Sequence, residues 1–306
     1  MRVVLTGSSG QLGAYVMERL AAEGHDVSAW SGSERGDRSG CALQPVDLRD
    51  ARATEQSLAR HDPDVIIHLA AVSSIEGARL DPARAWAINI EATERLANWC
   101  ERRDRRLLYT STDLVFDGSR SWSREGDPAE PTVAYGRTKL EAEAGVLGVP
   151  RGLVARLSLL YGLSRSGRAS FFDQMAAALR RGEPQTFFED EFRTPLHFMT
   201  AAEALIRLAE SDVAGVVHVG GRERLSRFEM ARRAAIALGY DSSLVRANRL
   251  RDVKFAEPRP ADVSLDTSRM AAILPDLVRP SVEESLGRAN TGPPEVSLFK
   301  RCRPSS

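Results

Sequence analysis

Tyr135 and Lys139 stand four residues apart in Tyr-Gly-Arg-Thr-Lys, and near the start of the chain Gly7-Ser8-Ser9-Gly10-Gln11-Leu12-Gly13 follows the apolar run Val3-Val4-Leu5. On a helix, residues i and i+4 share a face, so the Lys139 ammonium can act on the Tyr135 phenol. An ordinary tyrosine has a pKa of about 10. To donate a proton near neutrality it needs a cation that stabilises phenolate, and Lys139 supplies one. The glycine segment reads as a strand-to-helix turn that brings bare backbone N–H groups and a helix N-terminus to a pyrophosphate. Its Gly-x-x-Gly-x-x-Gly spacing differs from the Gly-x-Gly-x-x-Gly of many dinucleotide sites, and it leaves the Ser8 and Ser9 hydroxyls near the phosphates. Taken alone, the first pair fits an ordinary surface helix and the glycines fit a turn without a ligand. Taken together they describe a dinucleotide site and an acid able to protonate a carbonyl oxygen as hydride reaches its carbon.

Between these motifs, Leu107-Leu108-Tyr109-Thr110 begins as a buried strand and runs into the polar Ser111-Thr112-Asp113-Leu114-Val115-Phe116-Asp117-Gly118. The end of a strand is where open parallel sheets place their ligands. With the glycine turn and the Tyr-x-x-x-Lys helix, this segment resembles the extended short-chain dehydrogenase/reductase superfamily, in the branch containing dTDP-4-dehydrorhamnose reductase and the regulatory beta subunit of methionine adenosyltransferase. The resemblance covers most of the chain. It includes Asp64 to Ala71 (Asp-Val-Ile-Ile-His-Leu-Ala-Ala), Asn89 in Ala-Ile-Asn-Ile-Glu-Ala-Thr, Arg156 to Gly162 (Arg-Leu-Ser-Leu-Leu-Tyr-Gly) and Arg193-Thr194-Pro195.

Carried onto these positions, the resemblance implies that Thr112 holds the substrate carbonyl, Tyr135 is the acid, and Lys139 serves both the phenol and the nicotinamide ribose. It implies a cofactor surface of Gly7, Ser9, Gly10, Gln11, Leu12, Ser31, Arg35, Asp47, Leu48, Leu69, Ala70, Ala71 and Asn89, together with Tyr135 and Lys139. On the substrate side it points to Asp113, Val115 and Arg193. Asp113 either orders the substrate or caps a turn. Arg156, Arg165 and Arg168 are further donors by charge for a diphosphate. The implied activity is NAD(P)H-dependent reduction of a 4-keto group on a nucleoside-diphosphate deoxysugar. Two alternatives stand beside it: a cofactor-binding regulatory subunit without turnover, and a reductase of a small non-nucleotide carbonyl compound.

The elements that must position these residues alternate along the first half. Apolar runs at Val3 to Leu5, Val27 to Trp30, Val65 to Leu69, Leu107 to Thr110 and Leu153 to Leu157 are separated by helical patterns, which predicts an α/β, Rossmann-like, doubly wound parallel sheet. A dinucleotide-binding domain over 1–163 and a smaller C-terminal α/β substrate lobe over 164–290 follow. The chain is expected to return to the larger domain near 197–212, and a strand at Val216 to Val219 falls in the smaller lobe. The tail 291–306, with Pro293-Pro294, reads as loosely ordered.

Cofactor choice is read at the end of the second strand, where an acid would hold the ribose diol of NAD. Ala29-Trp30-Ser31-Gly32-Ser33 has none there, and Glu34 falls too late to replace it. Ser31, Ser33 and Arg35 could receive a 2′-phosphate, so NADP(H) is preferred with NAD(H) also usable; Arg35 equally reads as a plain loop residue.

Composition excludes several other classes. Lys plus Arg and Asp plus Glu are 42 each in 306 residues, so no overall field attracts nucleic acid or an anionic membrane. The arginines at 102–103, 105–106 and 232–233 read as solvated helix ends or faces. Cys41, Cys100 and Cys302 are too few and too far apart for a metal site, and they suit reduced thiols in the cytoplasm. No apolar stretch is long enough to span a bilayer, and Met1-Arg2 leads straight into the first strand without a signal-peptide pattern. The expected partner is a small-molecule substrate, and a homodimer is compatible with the same reading.

Overall fold

Alternate residues of the first strand serve two different cores. Val3 and Leu5 join Val65, Ile67, Leu108 and Leu153 on one face of the sheet, whereas Val4 joins Ile66, Leu107, Tyr109 and Val154 on the other. A parallel sheet covered by helices on both sides requires this, and it explains why the strands read as continuous apolar runs.

The structure is a computed structural model that describes residues 1–290, with side chains described to residue 287. Its first part runs β1 (Arg2–Thr6), α1 (Gln11–Ala22), β2 (Asp26–Ser31), β3 (Gly36–Arg38), β4 (Cys41–Pro45), α2 (Ala51–His61), β5 (Val65–His68), α3 (Ile75–Leu80), α4 (Pro82–Trp86), a π-helical turn (Ala87–Glu91), α5 (Ala92–Arg102), β6 (Arg106–Thr112), α6 (Ala134–Leu147) and β7 (Gly152–Leu157). It continues through β8 (Leu160–Tyr161), α7 (Phe171–Arg180), β9 (Gln185–Phe188), β10 (Phe192–Arg193), β11 (Leu196–His197), α8 (Phe198–Glu210), β12 (Gly215–Val219), β13 (Leu225–Ser226), α9 (Arg227–Ala237), β14 (Val245–Asn248), α10 (Ser268–Ile273) and α11 (Val282–Asn290). The tail expectation for 291–306, and Cys302 within it, lie outside the described residues.

Eight strands form one sheet in the order β12-β7-β6-β5-β1-β2-β4-β3, parallel except for the β3–β4 pair. The strand order reverses on either side of β1, whose end aligns with the ends of both neighbours: Thr6 pairs with Trp30 of β2 and with His68 of β5. A ligand crevice belongs at this switch point. His68, fully buried, bridges Thr6 Oγ1 at 2.7 Å and Thr93 Oγ1 at 2.9 Å, which pins β1, β5 and α5 together beneath it. Burial, with a smaller push from the Lys139 charge, lowers its pKa to about 3, so the bridge is made by a neutral imidazole.

The expected α/β, doubly wound parallel sheet is the observed one, and two details of its later half differ from expectation. The strand near 216–219 does not belong to a separate lobe, because β12 pairs with β7 over Gly215 to Val219 and forms the edge of the large sheet. Buried Ala201, Ala204, Leu205 and Leu208 of α8 pack with Val16, Met17 and Leu20 of α1 on one face of that sheet, and Met270 and Leu274 join them. Return of the chain to the sheet thus extends beyond 197–212. The residues between and after these segments make their own core from Phe172, Met175 and Leu179 of α7 and Met230, Ala231 and Ala234 of α9. Both helices begin with a reciprocal cap, Ser170 with Asp173 and Ser226 with Glu229. Arg106 is not a solvated helix end either. It is buried in β6 and donates to the carbonyls of Leu208 and Val213, both at 2.7 Å, which ties the sheet to the C-terminal end of α8.

Candidate active site

A cleft of about 930 Å³ crosses the C-terminal ends of the strands and is lined from the glycine turn to β10 and α9. At one end Gly7 has φ of +71°, and a Cβ there would lie 2.8 Å from the amide nitrogen of Ala70, so only glycine lets the turn lie against the segment after β5. The Gly10 amide donates to the Gly7 carbonyl at 2.9 Å and closes the turn. Gly10 then starts α1 with no side-chain cap, so the first-turn N–H groups of Gln11, Leu12 and Gly13 line the cleft without a side chain over them. These features fit a pyrophosphate. Ser9 lines the cleft as well, but Ser8 does not serve it: its buried hydroxyl donates to the Leu5 carbonyl at 2.7 Å and finishes the strand.

Farther along this half lie Ser31, Gly32, Ser33, Glu34, Asp47 and Leu48. The Ser31 hydroxyl donates to the Glu34 carbonyl, and the Glu34 carboxylate pairs with Arg168 and, at 3.6 Å, with Arg38. Arg35 is exposed and outside the cleft lining, because β3 begins at the next residue and carries the chain away. Leu69, Ala70 and Ala71 line the opposite wall, and the Leu69 and Ala70 amides donate to Thr6 Oγ1. Asn89 lies behind that wall, not on it. From the π-helical turn its Oδ1 accepts from the Val72 amide at 2.8 Å and its Nδ2 donates to Thr138 Oγ1 at 2.9 Å, which couples the loop after β5 to α6.

Helix α6 brings the reactive groups in. A Cβ on Gly136 would lie 2.1 Å from the Leu114 carbonyl oxygen, so this glycine lets α6 press onto the turn that follows β6 and sets Tyr135 and Lys139 beside Thr112 in the cleft wall. Thr112 ends the strand, accepts from the Leu114 amide at 3.2 Å and donates to Asp113 Oδ1 at 3.3 Å. Burial and then the Asp113 charge raise the Tyr135 pKa well above the usual phenol value, and a hydrogen bond with Thr112 opposes them. The Lys139 ammonium is placed differently from expectation. It lies 4.1 Å from the centroid of the Tyr109 ring, and it is not among the groups that move the Tyr135 phenol. The aromatic face is what a buried ammonium can reach from this turn of the helix. Burial lowers its pKa to about 7, while the Glu143 carboxylate one turn on holds it up.

The other half of the cleft is built from charge. Asp113 is buried; its Oδ2 accepts from Ser158 Oγ at 3.1 Å and faces Arg193 Nε at 3.5 Å. Burial raises the Asp113 pKa and the Arg193 charge opposes the rise. Arg193 also donates to Glu191 at 2.9 Å and to the Phe192 carbonyl at 3.0 Å. Asp113 therefore orients Thr112 and Ser158 instead of capping the turn, and Arg193 is occupied by protein acceptors instead of being held out for an anion. Val115 does not line the cleft. It is fully buried with Phe116, Val263 and Leu265 in a small core of its own. Arg156 is likewise removed: it forms a buried pair with Glu143 at 2.7 Å. Arg165 pairs with Glu18 at 2.5 Å on the outside of α1. Arg227, Arg259, Glu191 and Phe171, which sequence reasoning missed, all line this half. A local signal existed for Arg227, since the Ser-x-x-Glu cap at Ser226 announces a helix start immediately before it.

A switch-point glycine turn and a Thr–Tyr–Lys set along one cleft define a dinucleotide-dependent oxidoreductase of the extended short-chain class. The chain belongs to the RmlD substrate binding domain family, whose model matches residues 1–290. It is 34% identical over 270 residues to dTDP-4-dehydrorhamnose reductase of Mycobacterium tuberculosis, covering 85% of this chain and 82% of that one. It is 30% identical to a probable low-salt glycan biosynthesis reductase of Haloferax volcanii, covering 94% and 96%. The fold matches the crystal structure of dTDP-4-dehydrorhamnose reductase from Bacillus anthracis in complex with NADP, with a TM-score of 0.83, 24% identity and coverage of 94% and 97%. Among the described residues no helix is long and apolar enough to cross a membrane.

Proposed function

We infer that the protein reduces a 4-keto group on a nucleoside-diphosphate deoxysugar, using NADP(H) in preference to NAD(H). The observation that carries this reading is that Thr112, Tyr135 and Lys139 share one cleft wall with the uncapped start of α1. The dinucleotide would be held by the turn from Gly7 to Gly13, by Ser31, Asp47 and Leu48 beyond it, and by Leu69 to Ala71 opposite. When bound there it supplies the hydride for the carbonyl carbon.

The residues of the chain do the rest. Tyr135, with its pKa raised by burial, keeps its proton at neutral pH until an oxygen of rising basicity is placed against it. The Thr112 hydroxyl holds that oxygen by turning onto it the proton that it otherwise donates to Asp113 Oδ1. Loss of the proton leaves phenolate in a dry site, where a neighbouring cation is needed. We assign that part to Lys139, which lines the same wall: it is charged below its pKa of about 7, and it must leave the Tyr109 ring to reach the phenolate. The preference for NADP(H) is supported by Arg168, which lines the adenosine end and pairs with Glu34, with Arg38 pairing with the same carboxylate from behind it. The reductase names of its relatives support the reaction class.

The test is NADPH oxidation with a panel of nucleoside-diphosphate 4-keto sugars beside simple ketones. Turnover confined to the sugar nucleotides is expected. Tight cofactor binding with no turnover on any of them would overturn the reading in favour of a regulatory subunit.

A further inference from the structure

At the N-terminal ends of the strands, away from the cleft, the C-terminal ends of α1 and α8 converge. Glu23 follows α1, His25 leads into β2, and Glu210 is the last residue of α8. The His25 side chain is only 10% exposed, and among the described residues its Nε2 finds no hydrogen-bond partner. That nitrogen lies 3.5 Å from Glu23 Oε2 and 3.4 Å from Glu210 Oε1. Both separations exceed the roughly 2.7–2.9 Å of a charge-assisted hydrogen bond. They match instead the edge of a tetrahedron whose bonds to the centre are about 2.0–2.1 Å, an edge of roughly 3.4 Å. One donor atom from each of the three residues lies within 4.8 Å of the other two. Arg19 Nε holds Glu23 Oε1 at 2.5 Å and leaves Oε2 facing the imidazole, the kind of outer support that orients a ligating carboxylate. On the far side of the ring the Met1 nitrogen lies 3.3 Å from Nδ1; with a metal on Nε2 the ring proton sits on Nδ1 and this nitrogen accepts it, so binding releases a proton to solvent. The negative ends of two helix dipoles meet at the same point and favour a cation there.

We propose that Glu23, His25 and Glu210 bind Zn²⁺, with water in the fourth position. One imidazole and two carboxylates at tetrahedral separations suit this ion, whereas Mg²⁺ asks for an octahedron of oxygens. The bound ion cross-links the end of α1 to the end of α8, two helices that already pack together on one face of the sheet, and so pins the returning segment of the chain to its first βαβ unit. None of the three residues lines the cleft, which makes the ion a structural clip and not a reactive centre.

Calorimetry of the chelator-treated full chain with zinc chloride at pH 8, beside magnesium chloride, tests the site. One Zn²⁺ per chain is expected at this site, with little affinity for Mg²⁺ and a higher Tm in Zn²⁺ than in chelator. Co²⁺ in its place should give the intense visible bands of a tetrahedral ion. His25→Gln and Glu210→Gln should each weaken Zn²⁺ by more than the roughly 10- to 100-fold that follows loss of a supporting partner, and should remove the rise in Tm. NADPH affinity and the Tm in chelator should stay close to wild type, which reports that both variants are folded. If wild type takes up no Zn²⁺, or if both variants bind it as tightly as wild type so that the ion sits elsewhere on the chain, the site is wrong. A weak octahedral Co²⁺ spectrum, or equal affinity for Mg²⁺, would overturn it as well.

Discussion

The two halves of the cleft recognise their ligands by opposite means. The half around Gly7 to Gly13 offers backbone amides, small side chains and a helix start, all from one stretch of chain. The half around Asp113, Glu191, Arg193, Arg227 and Arg259 offers buried side-chain charge gathered from distant segments. A backbone site has no net charge to balance, because its donors are the first-turn N–H groups of a helix that packing on the sheet holds in place. A charged site must balance itself, and here Arg193 is spent on holding two carboxylates. The reactive trio lies where the halves meet, and substitutions there and on either side should have different signatures.

The largest effect is expected at the junction. Tyr135→Phe keeps the ring and removes the transferable proton, so reduction should fall by roughly 10²- to 10⁴-fold while NADPH binding is retained. Stopped-flow hydride transfer and calorimetry on the same preparation check the two parts. Loss of cofactor affinity equal to the loss of rate would place Tyr135 in the binding half instead.

Next comes the charged half. Arg193→Met leaves Asp113 and Glu191 buried without their cation, which should cost about 3 to 5 kcal/mol of stability. The pH dependence has a definite sign. A carboxyl whose pKa is raised in the folded state binds more protons folded than unfolded, so its burden on stability grows as pH rises from the unfolded value toward the folded one. The deficit of the variant should therefore be smaller at pH 5 than at pH 8 in urea unfolding. A deficit independent of pH would mean that lost packing, not charge, explains it.

Lys139 lies between these extremes. Its pKa is about 7 folded against 10.5 for the ordinary side chain, so the unfolded chain binds more protons between those values and stability should rise with pH across that interval. Lys139→Met should flatten this slope and at pH 7 should not destabilise, because the Glu143 carboxylate keeps Arg156 as its partner. The reduction rate of wild type should decline as pH rises through about 7, with loss of the ammonium. A rate flat from pH 6 to 9 would remove the cationic role.

How much was legible follows the same division. The parallel sheet, the glycine turn and the Tyr135–Lys139 spacing are local patterns, and Gly7, Ser9, Gly10, Gln11, Leu12, Leu69, Ala70 and Ala71 all line the cleft. Sequence spacing could not say where a long side chain ends. Lys139 reached the Tyr109 ring, Arg156 turned inward to Glu143, and Arg35 was carried off by β3. Val115 and Asn89 lie in the right segments but face a core and a supporting loop. Arg227 and Arg259 enter from parts of the chain with no local link to Thr112, so only the closed fold brings them there. The edge strand Gly215 to Val219 was misassigned for the same reason: sequential nearness to the smaller lobe says nothing about which sheet a strand extends.

The smallest effect concerns the adenosine end, where Arg35 was the sequence choice and Arg168 is the one the structure sets beside Glu34. The Arg168 side chain is 65% exposed, so solvent screens it and its contribution should not exceed about 1 kcal/mol, or roughly fivefold in affinity. Arg168→Ala should weaken NADPH by that factor more than NADH, Glu34→Gln should shift preference the other way, and Arg35→Ala should change neither. Raising the salt from 50 to 500 mM, about a threefold contraction of the Debye length, should erase most of the Arg168 difference. Equal loss for both cofactors in Arg168→Ala would mean that the arginine only ties the 164–170 segment to the glycine-turn side of the cleft, where its carbonyl already accepts from Gln11 and Arg38 donates to the Ser166 carbonyl at 2.8 Å. A selective loss in Arg35→Ala would instead show that β3 moves when the 2′-phosphate arrives.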